Sequence, residues 1–394
     1  MTQGEWAGDA SAALPVDGFR GALAGRAWNP EVGGPSAVAV REDGLVDVSA
    51  RFPTMRELFE AEDPAAELAG ATGPRLGTLE DLYSNTPPET RDTSRPWLLS
   101  PVDLQAVKAA GVTFAVSMLE RVIEERVRGD AAAAAAVRDQ ILSTIGSELR
   151  DLRPGSEGAT RLKAFLVEQD LWSQYLEVGI GPDAEIFTKA PVLASVGTAV
   201  EVGVLPTSTW NNPEPEVVLA ISSTGRIVGA TLGNDVNLRD VEGRSALLLP
   251  KAKDNNASAA LGPFIRFFDE TFSLDDVRTT TVLLEIVGED GFRLSAESPL
   301  SEITRDPEEL VQQLIGPHHR YPDGAVLYLG TLFAPIVDRD EAGGGFTHKA
   351  GDVVRVSAPL LGALVNRVQT TDRTEPWTFG IAALMANLAR RNLL

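Results

Sequence analysis

Two pairs of short apolar runs, each pair joined by four turn-forming residues, set the main limit on what this chain can become. Val217–Ile221 and Arg226–Leu232 flank Ser222-Ser223-Thr224-Gly225, while Thr279–Val287 and Phe292–Glu297 flank Gly288-Glu289-Asp290-Gly291. Strand-length runs around a glycine-bearing tetrad are hairpin signals. Val353–Val356 and Leu364–Val368 read as further strands. One helix is well marked among them. Asp306-Pro307-Glu308-Glu309 combines an N-cap acid, proline at the first helical position and glutamate three residues after the cap, so a helix is expected to about Ile315. From Glu177 onward the expectation is a strand-dominated α+β structure.

The first hundred residues have a different texture. Short alternating stretches, Ser36–Arg41 and Leu45–Ser49, are interrupted by Gly33-Gly34 and Pro87-Pro88, which points to a small β-rich unit at 1–99. Ser84 to Pro96 reads as the linker leading out of it, into a larger unit at 100–394. Within that unit a helical insertion is expected near 122–171. Val122 to Ile145 has a helical pattern divided at Gly129-Asp130, with Asp130 as the second N-cap, and a third helix opens at Ser156.

Charge narrows the partners. The 394 residues carry 35 Lys+Arg against 56 Asp+Glu, a net −21, which disfavours nucleic acid or an anionic membrane as partner. The N-terminus lacks a basic region and an apolar core, and Ala131–Val137 is too short to span a bilayer, so a cytoplasmic location is the default expectation. There is no cysteine, which excludes disulfides and thiolate chemistry, and only three histidines. Any metal should then be a hard cation held by carboxylates. His318-His319 lie close in sequence to Gly330-Thr331 and His348 follows a glycine run, and at both places packing or capping competes with contacts to a substrate; Gly343-Gly344-Gly345 lacks the context of a phosphate loop.

The chemistry concentrates around the first hairpin. Glu214 and Glu216 stand at i and i+2 where a strand begins, so they project to one face. Two carboxylates that close both stay ionised only with positive charge between them, and a divalent cation is the natural candidate. Asp235 follows 19 residues after Glu216, at the end of the returning strand, and can reach the same mouth. Three carboxylates with coordination positions left open suit Mg²⁺. Lys253, 18 residues further on, could polarise a bound carbonyl or move a proton, although a lone lysine is more often a surface charge.

Together these residues resemble the fumarylacetoacetate hydrolase superfamily. The resemblance runs from about Gly111 to Val368. It rests on Glu214-x-Glu216, Asn234-Asp235-Val236 with Arg239-Asp240, Ala252-Lys253 and Leu261-Gly262-Pro263. Gly330-Thr331 after Tyr321-Pro322-Asp323-Gly324, and Gly351-Asp352-Val353 with Leu361-Gly362, Leu364, Asn366 and Val368, complete it. It implies the superfamily's mixed β-roll with a small β-rich N-terminal domain, assembled as a homodimer or homotetramer. It further implies Glu214, Glu216 and Asp235 as metal ligands, Lys253 facing the substrate, Arg239 near it, and Gly330-Thr331 receiving the substrate carboxylate.

Hydrolytic and decarboxylating members carry a His-x-x-Glu dyad that activates water. Here Ser117 stands at the histidine position with Glu120 after it, and a serine hydroxyl cannot act unaided as that base. Ser117 is therefore expected to line the substrate site without driving hydrolysis. Glu177–Lys189, Gly233–Gly243 and Leu247–Lys253 resemble the sugar-acid dehydratase branch. That branch implies Mg²⁺-dependent removal of water from a small 2-keto-3-deoxy sugar acid, with Mn²⁺ a possible substitute and Glu185 and Lys253 handling protons. For 2-keto-3-deoxy-D-xylonate the product would be 2,5-dioxopentanoate. The alternatives are an acylpyruvate hydrolase or oxaloacetate decarboxylase on the same site, or a keto-acid-binding protein without turnover.

Overall fold

The computed structural model describes residues 5–114, 118, 122, 152–168, 172–332, 337–340 and 345–394. Its strands are β1 Leu23–Asn29, β2 Gly34–Arg41, β3 Gly44–Asp47, β4 Arg75–Gly77, β5 Trp97–Leu99 and β6 Ala106–Gly111. They continue as β7 Glu185–Ala190, β8 Val200–Val204, β9 Asn211–Asn212, β10 Pro215–Ile221, β11 Ile227–Asp235 and β12 Asn237–Leu238. Last come β13 Ala259–Phe267, β14 Thr281–Val287, β15 Arg293–Pro299, β16 Ala325–Tyr328, β17 Val353–Ala358 and β18 Gly362–Thr370.

Among the described residues an 11-stranded sheet runs in the order β4-β3-β2-β1-β13-β11-β10-β16-β6-β7, with β5 also paired to β1. A five-stranded sheet follows the order β15-β14-β17-β18-β8. Both expected hairpins are present, as β10–β11 and β14–β15. The larger sheet does not stop at residue 99. β1 pairs with β13 at Leu23↔Arg266 and Ala24↔Ile265, so the N-terminal strands extend the same ladder.

Every residue of β10 is buried. Strand periodicity divides them between two cores. Val217, Leu219 and Ile221 pack between the sheets with Val282, Leu284, Ile286, Val354, Val356 and Leu364. Val218 and Ala220 face the other way, toward Met55, Leu58 and Phe59 on a helix at Met55–Glu60. Glu216 shares the parity of Val218 and Ala220, which places its carboxylate on that second face.

The first hundred residues also hold helices that the sequence reading did not assign, at Met55–Glu60, Pro64–Gly70 and Leu79–Ser84. Each has a local start signal: Thr54 and Thr78 form capping boxes, and Asp63 caps a helix opening on Pro64. Later helices occupy Glu157–Glu168 and Pro307–Leu314, close to the expected spans. The helix pair expected from 122 to 145 lies outside the described residues except for Val122. A terminal helix at Ile381–Arg390 was not anticipated. Among the described residues no helix is long and apolar enough to cross a membrane.

Gly233 shows how tightly the second face is packed. A Cβ there would lie 2.3 Å from the Tyr328 ring and 2.6 Å from Val218 Cγ2. Tyr328 cannot retreat easily, being buried and donating its hydroxyl hydrogen bond to the Ala260 carbonyl at 2.6 Å. Gly233→Ala is expected to cost ~1–3 kcal/mol through overpacking, read from urea unfolding midpoints at unchanged slope.

Candidate metal centre

The β10–β11 ladder assembles the acidic cluster. Glu216 lies directly across from Gly233, and one step outward the Asp235 amide donates to the Glu214 carbonyl at 3.0 Å. Opposed residues of an antiparallel pair share a face, so Glu214, Glu216 and Asp235 converge. One carboxylate oxygen from each lies within 4.8 Å of the other two, and all three residues are buried. The three candidate ligand atoms are all carboxylate oxygens, a set that hard divalent cations prefer.

Fixed groups hold each carboxylate. The Gly330 amide donates to Glu216 Oε2 at 2.6 Å, and Asn237 Nδ2 donates to Glu214 Oε1 at 3.1 Å and to Glu242 Oε2 at 2.6 Å. Asn234 Oδ1 accepts from the Glu214 amide at 3.3 Å. Two buried ammonium groups complete the arrangement. Lys253 closes a short helix at Leu249–Lys253 and bonds Glu214 Oε2 together with Asp235 Oδ2, the latter at 3.1 Å. Lys189, from β7, pairs with Asp235 Oδ1 at 2.7 Å.

These neighbours separate the carboxylates electrostatically. Burial, with Asp235 and Glu214 close by, raises Glu216 well above the usual carboxylate range. Asp235 is also pushed upward by burial, yet Lys189 and Lys253 together hold it below its ordinary value. Burial draws Lys189 down, and Asp235 opposes that pull.

Glu185, Phe187 and Lys189 alternate along β7 and so share one of its faces. The Lys253 ammonium stands 5.6 Å from the Phe187 ring centroid, which brings this face to the cluster. Gly111, paired with Glu185 across β6–β7, leaves room for the carboxyl: a Cβ there would lie 2.1 Å from Glu185 Oε2. Arg239 is buried with its guanidinium 4.4 Å from the Trp210 ring centroid, where the strand pair β9–β12 leads out of the cluster. Thr331 is buried beside Gly330, whose amide is committed to Glu216. The Gly330 amide therefore orients a candidate ligand. Ser117 lies outside the described residues.

Of the histidines, His348 is buried with Nδ1 3.2 Å from Asp352 Oδ2, and burial lowers its pKa. His319 stacks on Tyr321 with ring centroids 4.9 Å apart. Sequence reasoning missed Lys189, Asn237 and Phe187. For Lys189 and Phe187 a signal existed: they stand at i+4 and i+2 from Glu185, the spacing of one strand face.

Residues 204–369 match the family model described as fumarylacetoacetate (FAA) hydrolase C-terminal. A 2-dehydro-3-deoxy-D-arabinonate dehydratase of Saccharolobus solfataricus is 33% identical over 188 residues, 47% of this chain and 58% of the relative. A probable 2-keto-3-deoxyxylonate dehydratase of Haloferax volcanii is 29% identical over 203 residues, 52% of this chain and 66% of the relative. The matched stretch thus spans less than two thirds of either relative. Among solved structures, a 2-keto-3-deoxy-D-arabinonate dehydratase complexed with magnesium and 2,5-dioxopentanoate superposes with a TM-score of 0.61 at 21% identity, covering 90% of this chain and 99% of the other. Its apo form gives 0.61 at 22% identity, covering 88% and 98%, so the two share the fold. The acidic cluster, Lys253 and the strands that carry them all fall inside residues 204–369, the segment that is similar to the fumarylacetoacetate hydrolase C-terminal domain.

Proposed function

We propose that this chain is a hydro-lyase that dehydrates 2-keto-3-deoxy-D-xylonate, the same compound as 2-dehydro-3-deoxy-D-arabinonate, to 2,5-dioxopentanoate in pentose breakdown. The observation that carries this reading is the buried cluster of Glu214, Glu216 and Asp235, with Lys253 against it and Glu185 on the neighbouring strand face. The two dehydratases matched in sequence support the substrate class, and the solved relative holding magnesium supports Mg²⁺, with Mn²⁺ as a substitute.

Glu214, Glu216 and Asp235 would hold the cation. When bound, it supplies Lewis-acid polarisation of a 2-keto acid, which makes hydrogen at C3 removable. The chain's own residues perform the rest. Overall, the C3–H and C4–O bonds break and water leaves; hydrogen shifts from C5 then give the C5 aldehyde, with C3 and C4 ending as methylenes. Two proton-handling groups are needed, and Glu185 and Lys253 take these roles, with Lys253 held beside the cluster and Glu185 on the β7 face. Arg239 adds positive charge that favours an anionic substrate near the mouth, with Ser117 and Thr331 as further contacts. The Ser117 hydroxyl, where hydrolytic relatives have a histidine base, disfavours water activation and leaves elimination as the outcome.

Purified protein with Mg²⁺ and 2-keto-3-deoxy-D-xylonate is expected to release an aldehyde with the mass of 2,5-dioxopentanoate. Absence of that product with metal present, or efficient cleavage of an acylpyruvate, would overturn the reading. Glu216→Gln should weaken Mg²⁺ binding by at least about 100-fold in calorimetry and abolish turnover; an unchanged titration would place the cation elsewhere.

A further inference from the structure

Lys189 has no role in the reaction as written, yet it is among the most deeply enclosed side chains of the molecule, with no exposed surface. A buried ammonium is costly unless its donors are matched. Here they are. Its Nζ donates to the Val236 carbonyl at 3.0 Å, the Lys253 carbonyl at 2.5 Å and Ser258 Oγ at 3.4 Å, and it forms an ion pair with Asp235 Oδ1 at 2.7 Å. Ser258 Oγ in turn donates to the same Lys253 carbonyl at 2.8 Å. One point charge therefore joins three separate pieces of the site: the tip of β11 carrying Asp235, the end of the helix carrying Lys253, and β7 carrying Glu185.

We propose that Lys189 is a positioning residue, whose ammonium fixes the spacing between Asp235 and the backbone that presents Lys253. It touches neither substrate nor reacting atoms. Its partners on the Lys253 side are a main-chain carbonyl and a hydroxyl, groups that a cation at the carboxylates leaves in place. Lys253 differs, since it bonds two candidate ligand oxygens. Lys189 is thus anchored largely outside the candidate ligand set, whereas Lys253 is bonded within it.

The inference rests on the dehydratase reading for its kinetic arm and is independent of it for its stability arm. Lys189→Met keeps the stem and removes the charge. The metal-free variant is expected to melt about 5 °C below the parent, because Asp235 loses one of its two buried ammonium partners. Adding Asp235→Asn should recover at least half of that loss, since the orphaned charge is removed; additive losses would overturn the proposal. In turnover, kcat should fall at least about 30-fold with KM for the keto acid within about threefold. A fall confined to KM, or an unchanged kcat, would overturn it. Should Lys189→Met fail to fold, Ser258→Ala replaces it: a severalfold lower kcat at constant KM supports the pin and an unchanged kcat refutes it. A parent enzyme without activity on the keto acid would end the dehydratase reading alone, because the melting cycle needs no substrate.

Discussion

Three carboxylates buried within 4.8 Å of one another are the constraint around which the rest of this structure is arranged. Desolvation and mutual repulsion both oppose such a cluster. It is sustained by two buried ammonium groups, a backbone amide at Gly330 and an asparagine that grips Glu214. If every group is ionised, three negative charges meet two positive ones. A divalent cation brings the local sum to +1, and a monoanionic keto acid brings it to zero. The overall −21 of the chain therefore says little about what this pocket attracts.

The sheets supply the rigidity such an arrangement needs. β10 is buried on both faces, so its register is set by two cores at once and a slip of one residue would bury the wrong set. Gly233 and Tyr328 lie directly behind the cluster, with no room for another carbon. Such packing limits how far the carboxylates can drift apart when they repel.

Much of this was readable in the chain. The Glu214-x-Glu216 pair announced itself because strand periodicity is strict, and Asp235 followed because a hairpin returns its second strand beside its first. The Pro307–Leu314 helix was legible from its cap. What escaped depends on long-range pairing or on short elements. A lysine in Phe187-Thr188-Lys189 looks solvated until β7 pairs with β6 and the Lys253 helix closes over it. The six-residue helix at Met55–Glu60 carries a capping box that is clear only once the local structure is known, since the run is too brief for periodicity to speak. Nor does local sequence disclose that β1 pairs with β13, which lets the first strands continue the sheet holding Asp235.

Among the described residues β7 is the last strand of the larger sheet, with a ladder partner on one side only. Ordinarily the outermost strand is the one that frays, and here it bears the carboxyl of Glu185. Lys189 ties this strand down from its face: its ammonium donates to the Val236 and Lys253 carbonyls, a tether built from a side chain. That margin of the sheet thereby gains a fixed tie to the interior without another strand.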